Sequence, residues 1–310
     1  MLIRKPEGWE IPEREVTPER DYLSRRQILA GAGALVTGQA MSAADGKPLY
    51  PAAKNEEFNV PSAPVTPDWA ASGYNNYYEF DPYGKETVKN LVDKFVISPW
   101  KIQVTGLVEK PQTYDLDDLL KKIPLQERVY RFRCVERWAM VIPWTGFPLS
   151  ALIKLLEPKP TAKYVRFVTV NRPKEMPGMS AASNYPWPYF EGLRMDEAMH
   201  PLTMMVTGSY GKPLPKPNGA PIRVIVPWKY GYKSPKSIAQ IDFRSGEPPT
   251  FWNRLNSNEY GFYSNVEPKK PHPRWSQAQE QMIPSMERRP TLQYNGYEKW
   301  VAGLYNGKEF

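Results

Sequence analysis

One cysteine and two histidines bound the chemistry this chain can do with its own side chains. Cys134 lies in Arg133-Cys134-Val135-Glu136-Arg137-Trp138. Arginines beside a thiol favour its thiolate by opposite charge, and a thiolate is a soft ligand for a transition metal. A small buried hydrophobe is the second reading, and it describes most free cysteines. A Cys–His nucleophile is the third; it needs His200 or His272 as base, and neither stands in a motif. A lone cysteine excludes an internal disulfide and the multi-cysteine zinc and iron–sulfur sites. Two histidines far apart in sequence argue against a histidine-built zinc enzyme.

The elements that must position Cys134 follow from periodicity. Val129 to Cys134 alternates as a strand, with Tyr130, Phe132 and Cys134 on one face and Arg131 and Arg133 on the other. Cys134 then ends a strand, where sites commonly sit. Pro143-Trp144-Thr145-Gly146 reads as a turn, Leu149 to Leu156 as a helix, and Lys163 to Val170 as a strand. Residues 171–192 read as a long loop punctuated by four prolines. Its aromatics, Tyr185, Trp187, Tyr189 and Phe190, either shape a binding mouth or pack into the core. The turn Asn218-Gly219 introduces a strand from Ile222 to Pro227. Upstream, 86–95 suits a short helix, Ile102 to Val108 a strand and Tyr114 to Leu120 a short helix. Residues 250–310 read as polar, aromatic and loop-rich, too few for a full second domain. Arg166, Trp228 and Tyr230 are further candidates without assigned roles.

Bulk properties narrow the ligand. The net charge is +8 and the pI about 9.2, which favours an anionic partner. The basic residues are scattered, so no nucleic-acid footprint is indicated, and a phosphorylated cofactor fits better. No run of 18 apolar residues spans a membrane. The 34 prolines call for short strands and many ordered loops rather than long helices.

The N-terminus reads as an export leader. Ser24-Arg25-Arg26-Gln27-Ile28-Leu29 places a twin-arginine pair before a short, mildly apolar, glycine-rich stretch, with small residues near Ala40 to Ala44. Residues 1–44 are therefore expected to be a cleaved twin-arginine signal peptide, 45–70 an extended proline-rich arm, and 71–310 the working domain. The expected location is the periplasm, where an unpaired cysteine draws attention because thiols there tend to pair.

Longer motifs add a resemblance. The Cys134 segment followed by Pro143-Trp144-Thr145-Gly146-Phe147-Pro148-Leu149 resembles the molybdopterin-binding domain of the sulfite oxidase superfamily. Three further segments resemble the bacterial periplasmic protein-methionine-sulfoxide reductase catalytic subunits in particular. They are Asn75-Asn76-Tyr77-Tyr78-Glu79-Phe80, the stretch from Glu191 to Pro201, and the stretch from Asn218 to Gly231. The likeness covers nearly the whole chain, leader included.

This resemblance implies an α+β fold, a β-rich mixed core in one compact domain with long ordered loops. It implies one molybdenum–molybdopterin group per chain, with Cys134 as metal ligand and catalytic residue. It carries cofactor contacts onto Asn75, Tyr78 and Glu79, onto Thr169, onto Asn218 and Arg223, and onto Ser234, Pro235 and Lys236. The residue types suit those roles. Arg223 and Lys236 can neutralise a pterin phosphate, and asparagines can satisfy both donors and acceptors on a pterin edge. Read without the resemblance, the same cations are solvated surface charges and Asn218 is simply a hairpin turn. The implied activity is reduction of methionine sulfoxide residues in exported proteins by oxygen-atom transfer to molybdenum. Neither a haem signature nor a dinucleotide motif occurs in the chain, and the resemblance supplies a haem-containing membrane subunit drawing on the quinone pool. The alternatives are a sulfite-oxidising or other S- or N-oxide molybdoenzyme on the same scaffold, and a basic exported binding protein without metal.

Overall fold

The computed structural model describes residues 48–58 and 64–306; the expected leader lies outside them. Among the described residues no helix is long and apolar enough to cross a membrane.

Two mixed sheets carry the domain, with short helices between their strands, as the α+β expectation requires. The larger holds eight strands, among them the short β9 (Lys212–Pro213) and β10 (Arg223–Ile225). Its centre is a long antiparallel hairpin of β4 (Gln126–Arg133) and β5 (Trp138–Pro148). The short β1 (Ala53–Lys54), from the proline-rich stretch before the helix at Asp68–Gly73, pairs in parallel with β4. The smaller sheet has five strands in the order β3 (Gln112–Asp115), β2 (Lys101–Gly106), β11 (Ile238–Arg244), β6 (Tyr164–Thr169) and β7 (Phe190–Arg194).

The strand expected up to Cys134 is present, but its second face is not solvent-facing. Arg131 is 2% exposed and Arg133 0%. The cover comes from the C-terminal stretch read as loop-rich. There β12 (Gln279–Met282) pairs in parallel with β5 at Gln281↔Trp138, and β13 (Arg288–Pro290) pairs with β12. Alternation marks two faces; it does not say which distant segment will bury the polar one.

The turn expected at Pro143-Trp144-Thr145-Gly146 is instead the interior of β5. Its glycine serves an irregularity in the pairing with β8 (Met204–Ser209), where the register shifts between Thr145 and Gly146. The helix over Leu149–Leu156 forms as its apolar periodicity demands, burying Leu149, Leu152, Ile153 and Leu156. The helix expected at 86–95 contracts to a single 3-10 turn, Val88–Asn90. The long loop is broken by a helical turn, Gly178–Ala181, and ends where β7 begins. Gly178 lies so close to the Tyr78 carbonyl that a Cβ would stand 2.2 Å from it. Only glycine permits that approach, and the next residue, Met179, donates its N–H to the Glu79 carbonyl at 3.2 Å.

Candidate active site

Cys134 is the first residue of the turn joining β4 to β5. Its N–H donates to the Trp138 carbonyl at 2.9 Å and its own carbonyl accepts from Arg137 N–H at 3.0 Å. Arg137 closes the turn with φ 73°. The thiol is 6% exposed. It looks into a cleft whose walls come from the Asn75–Glu79 segment and from Asn218, Arg223 and Lys236. Asn76 Nδ2 donates to Sγ at 3.4 Å, and Glu136 N–H approaches it at 3.5 Å.

The arginine-activated thiol expected from sequence is corrected here. Burial, reinforced by the Glu136 carboxylate, pushes the free thiol up to about 12; the pull of Arg133 is smaller. Arg131 and Arg133 point to the other face and are held by Glu280. The thiolate therefore depends on a bound cation to displace its proton. Neither histidine lines the cleft. His200 Nε2 lies 3.1 Å from the Trp300 carbonyl, and His272 stacks on Trp275 at 3.9 Å. The Cys–His nucleophile has no base.

Eight of the nine predicted cofactor contacts line this cleft: Asn75, Tyr78, Glu79, Asn218, Arg223, Ser234, Pro235 and Lys236. Thr169 stands behind them, its hydroxyl donating to Glu79 Oε1 at 3.2 Å. The helix at Asp68–Gly73 joins Asn75 to Asn218. Asn75 Nδ2 donates to the Ser72 carbonyl at 3.0 Å, and Asn218 Nδ2 to the Ala71 carbonyl at 3.0 Å. Asn218 ends a 3-10 turn rather than a hairpin. Gly219 closes that turn at φ 99°, where a Cβ would also meet the Lys236 side chain at 2.7 Å.

The cations are not solvated surface charges. Arg223 is 2% exposed, donates to the carbonyls of Asn218 at 2.8 Å and Ser234 at 3.0 Å, and lies over Trp144 at 5.2 Å. Burial pulls it down to about 9. Lys236 Nζ donates to the Asn76 carbonyl at 2.5 Å and sits over Tyr77 at 4.8 Å. Burial and then Arg223 pull it down to about 7, against the attraction of Glu79. Two cations thus share one wall with a single carboxylate, and burial raises that carboxyl as well. The Asn218 Oδ1 is buried and finds no donor among the described residues. One soft sulfur, a surplus of cations and an unsatisfied amide oxygen fit a phosphorylated pterin carrying a thiophilic metal.

Several lining residues had no role from sequence. Asn76 stands inside a motif already noted, so its spacing was visible but not its reach to both Cys134 and Lys236. Trp252 and Tyr260 form the outer wall, 5.3 Å apart, and Trp252 meets Tyr78 at 4.8 Å. The aromatic loop does both expected jobs. Tyr189 lines the cleft, while Tyr185, Trp187 and Phe190 pack around the fully buried Phe251. Arg166, Trp228 and Tyr230 are absent from the lining; Trp228 Nε1 donates to Tyr305 Oη at 2.8 Å.

Residues 89–252 match the oxidoreductase molybdopterin binding domain family, a span that holds Cys134 and the expected cofactor contacts from Thr169 to Lys236. The whole chain is 49% identical, over 329 aligned positions and 98% of the relative, to the protein-methionine-sulfoxide reductase catalytic subunit MsrP of Burkholderia mallei (strain ATCC 23344). It is 47% identical, again over 98% of the relative, to the MsrP of Ralstonia nicotianae (strain ATCC BAA-1114 / GMI1000). Among solved structures it resembles the sulfane dehydrogenase SoxCD of Paracoccus pantotrophus with a TM-score of 0.44 and 16% identity, over 77% of this chain and 57% of that one. With a cleft built around one thiol and kinship along its full length, the chain belongs to the molybdopterin-binding oxidoreductases and, within them, to the MsrP family of protein-methionine-sulfoxide reductase catalytic subunits.

Proposed function

We propose that this chain reduces methionine sulfoxide residues of exported proteins to methionine, using a molybdenum–molybdopterin group held by Cys134. The observation that carries the reading is the pairing of a single buried thiol with a cation-rich wall across one cleft. When bound, the group supplies oxygen-atom transfer, which with two electrons and two protons turns a sulfoxide into a thioether and water.

The chain's own residues divide the remaining work. Asn76 Nδ2 and Glu136 N–H hold the sulfur by donating toward it. Arg223 and Lys236 would hold the phosphate of the pterin, and the unpartnered Asn218 Oδ1 would accept from a donor on it. Tyr78, Trp252 and Tyr260 form an aromatic outer wall against which the apolar stem of a methionine sulfoxide packs while its oxygen points inward. At the mouth, Lys85 pairs with Glu136 at 2.9 Å.

Electrons come from a second subunit, in our reading a haem-containing membrane protein fed by the quinone pool. The chain works in the periplasm, exported folded on the Arg25-Arg26 signal. The test is turnover of purified, cofactor-loaded protein with a reduced dye as electron donor. A peptide bearing methionine sulfoxide should be converted with one molybdenum per chain. Sulfite oxidation without sulfoxide reduction, or protein that carries no molybdenum when isolated from its periplasm, overturns the reading.

A further inference from the structure

Behind Cys134, away from the cleft, one buried carboxylate collects three guanidinium groups. Glu280 Oε1 accepts from Arg131 Nη2 at 2.8 Å and Arg289 Nε at 2.7 Å, and Oε2 accepts from Arg133 Nε at 3.1 Å. Three guanidinium groups thus crowd one carboxylate. The other donors of Arg133 go to neutral groups: Gln277 Oε1 at 2.7 Å, Thr291 Oγ1 at 3.3 Å, and the carbonyl of Cys134 itself.

The same segment grips the rest of the turn. Trp275 Nε1 and Gln277 Nε2 donate to the Val135 carbonyl at 2.9 and 2.8 Å, and Gln281 N–H donates to the Arg137 carbonyl at 2.7 Å. The carbonyls of Cys134, Val135 and Arg137 are thus held by groups anchored at or near Glu280. A buried ion cluster is a weak device for stability alone, because apolar packing of equal volume often does as well. A cluster whose arms end on the backbone of a metal-ligand turn does something apolar packing cannot.

We infer that Glu280 is a positioning residue for Cys134, and that the positive charge it gathers tunes the potential of the metal that Cys134 binds. The inference rests on the molybdenum reading above. Charge buried near a redox centre is weakly screened, and positive charge favours the reduced form. Contacts beyond the ligands themselves commonly tune a metal site.

The experiment is a redox titration of the metal in loaded protein, with molybdenum per chain measured first. Wild-type protein without molybdenum sinks the cofactor reading and not the hold of the Glu280 cluster on the Cys134 turn. In metal-loaded protein, Arg289→Gln removes one positive charge at the partly exposed edge of the cluster and should lower the midpoint potential. Glu280→Gln removes the negative charge and should raise it. Opposite shifts support the inference, because a merely structural role has no reason to give opposite signs. Unchanged potentials, or shifts of the same sign, overturn it. Should Glu280→Gln fail to fold, Arg289→Gln decides alone: a potential equal to that of the wild type overturns the proposal.

Discussion

Two cationic clusters flank Cys134, and they are built on opposite principles. On the far side of the turn, Arg131, Arg133 and Arg289 converge on Glu280, with amide and hydroxyl partners for the rest of Arg133. In the cleft, the Arg223 guanidinium meets carbonyls and ring faces, with no carboxylate paired to it among the described residues. The difference separates a mount from a receptor. Charges tied to a carboxylate, an amide and backbone carbonyls inside the protein hold a backbone in place. Charges that burial has destabilised gain most when an anion arrives, which is how a fold keeps affinity in reserve for a ligand.

The sharpest break of this comparison is at the residue between the clusters. Cys134→Ser should lose metal and more than about 100-fold in turnover, since even outer contacts of a metal site carry 10–100-fold. A variant with full molybdenum content and full activity removes the thiolate from the mechanism. Next comes the mount. Glu280→Ala strands buried guanidinium groups and should cost roughly 3–5 kcal/mol in urea unfolding, the range for breaking a buried ion pair. A loss under about 1 kcal/mol would show that Arg131 and Arg133 do not depend on it.

The receptor should respond the other way. Lys236→Met should weaken cofactor retention while leaving the cofactor-free protein as stable as the wild type or more so, as calorimetry of both forms will read. Loss of stability in the cofactor-free variant would move Lys236 to the mount. The smallest effect is on pH. Lys236, and Lys229 buried against Glu197 at 2.6 Å, are pulled down by burial to about 7 and about 8, below the ordinary lysine value of 10.5. Above those values the folded chain has released protons that the unfolded chain still binds, so stability must rise with pH. The urea midpoint of cofactor-free protein should therefore be higher at pH 9 than at pH 7. Beyond pH 9 the Cys134 thiol, held up to about 12, acts in the opposite sense. A midpoint flat or falling between pH 7 and 9 refutes the lowering of these lysines by burial.

Much of this was legible in the chain. Local periodicity specifies an element wherever neighbours in sequence are also neighbours in packing. That is why the helix over Leu149–Leu156 and the strand Tyr164–Thr169 appear close to where their patterns end. It fails where a residue's role is set from far away. The Pro143–Gly146 segment has turn composition, yet pairing with β4 on one side and β8 on the other draws it into β5.

The single cysteine, the paired arginines near the N-terminus and the long motifs were enough to point to a metal-binding thiol, a phosphorylated cofactor and a family. Those are matters of residue type, and type is readable without coordinates. Only the tertiary structure decided what surrounds the thiol. It turned Arg131 and Arg133 away from the cleft, set Asn76 against the sulfur, and brought residues 275–295 across the back of the Cys134 turn. These contacts join residues about 60 to 160 positions apart, and charge in a protein acts through distance and burial rather than through order along the chain.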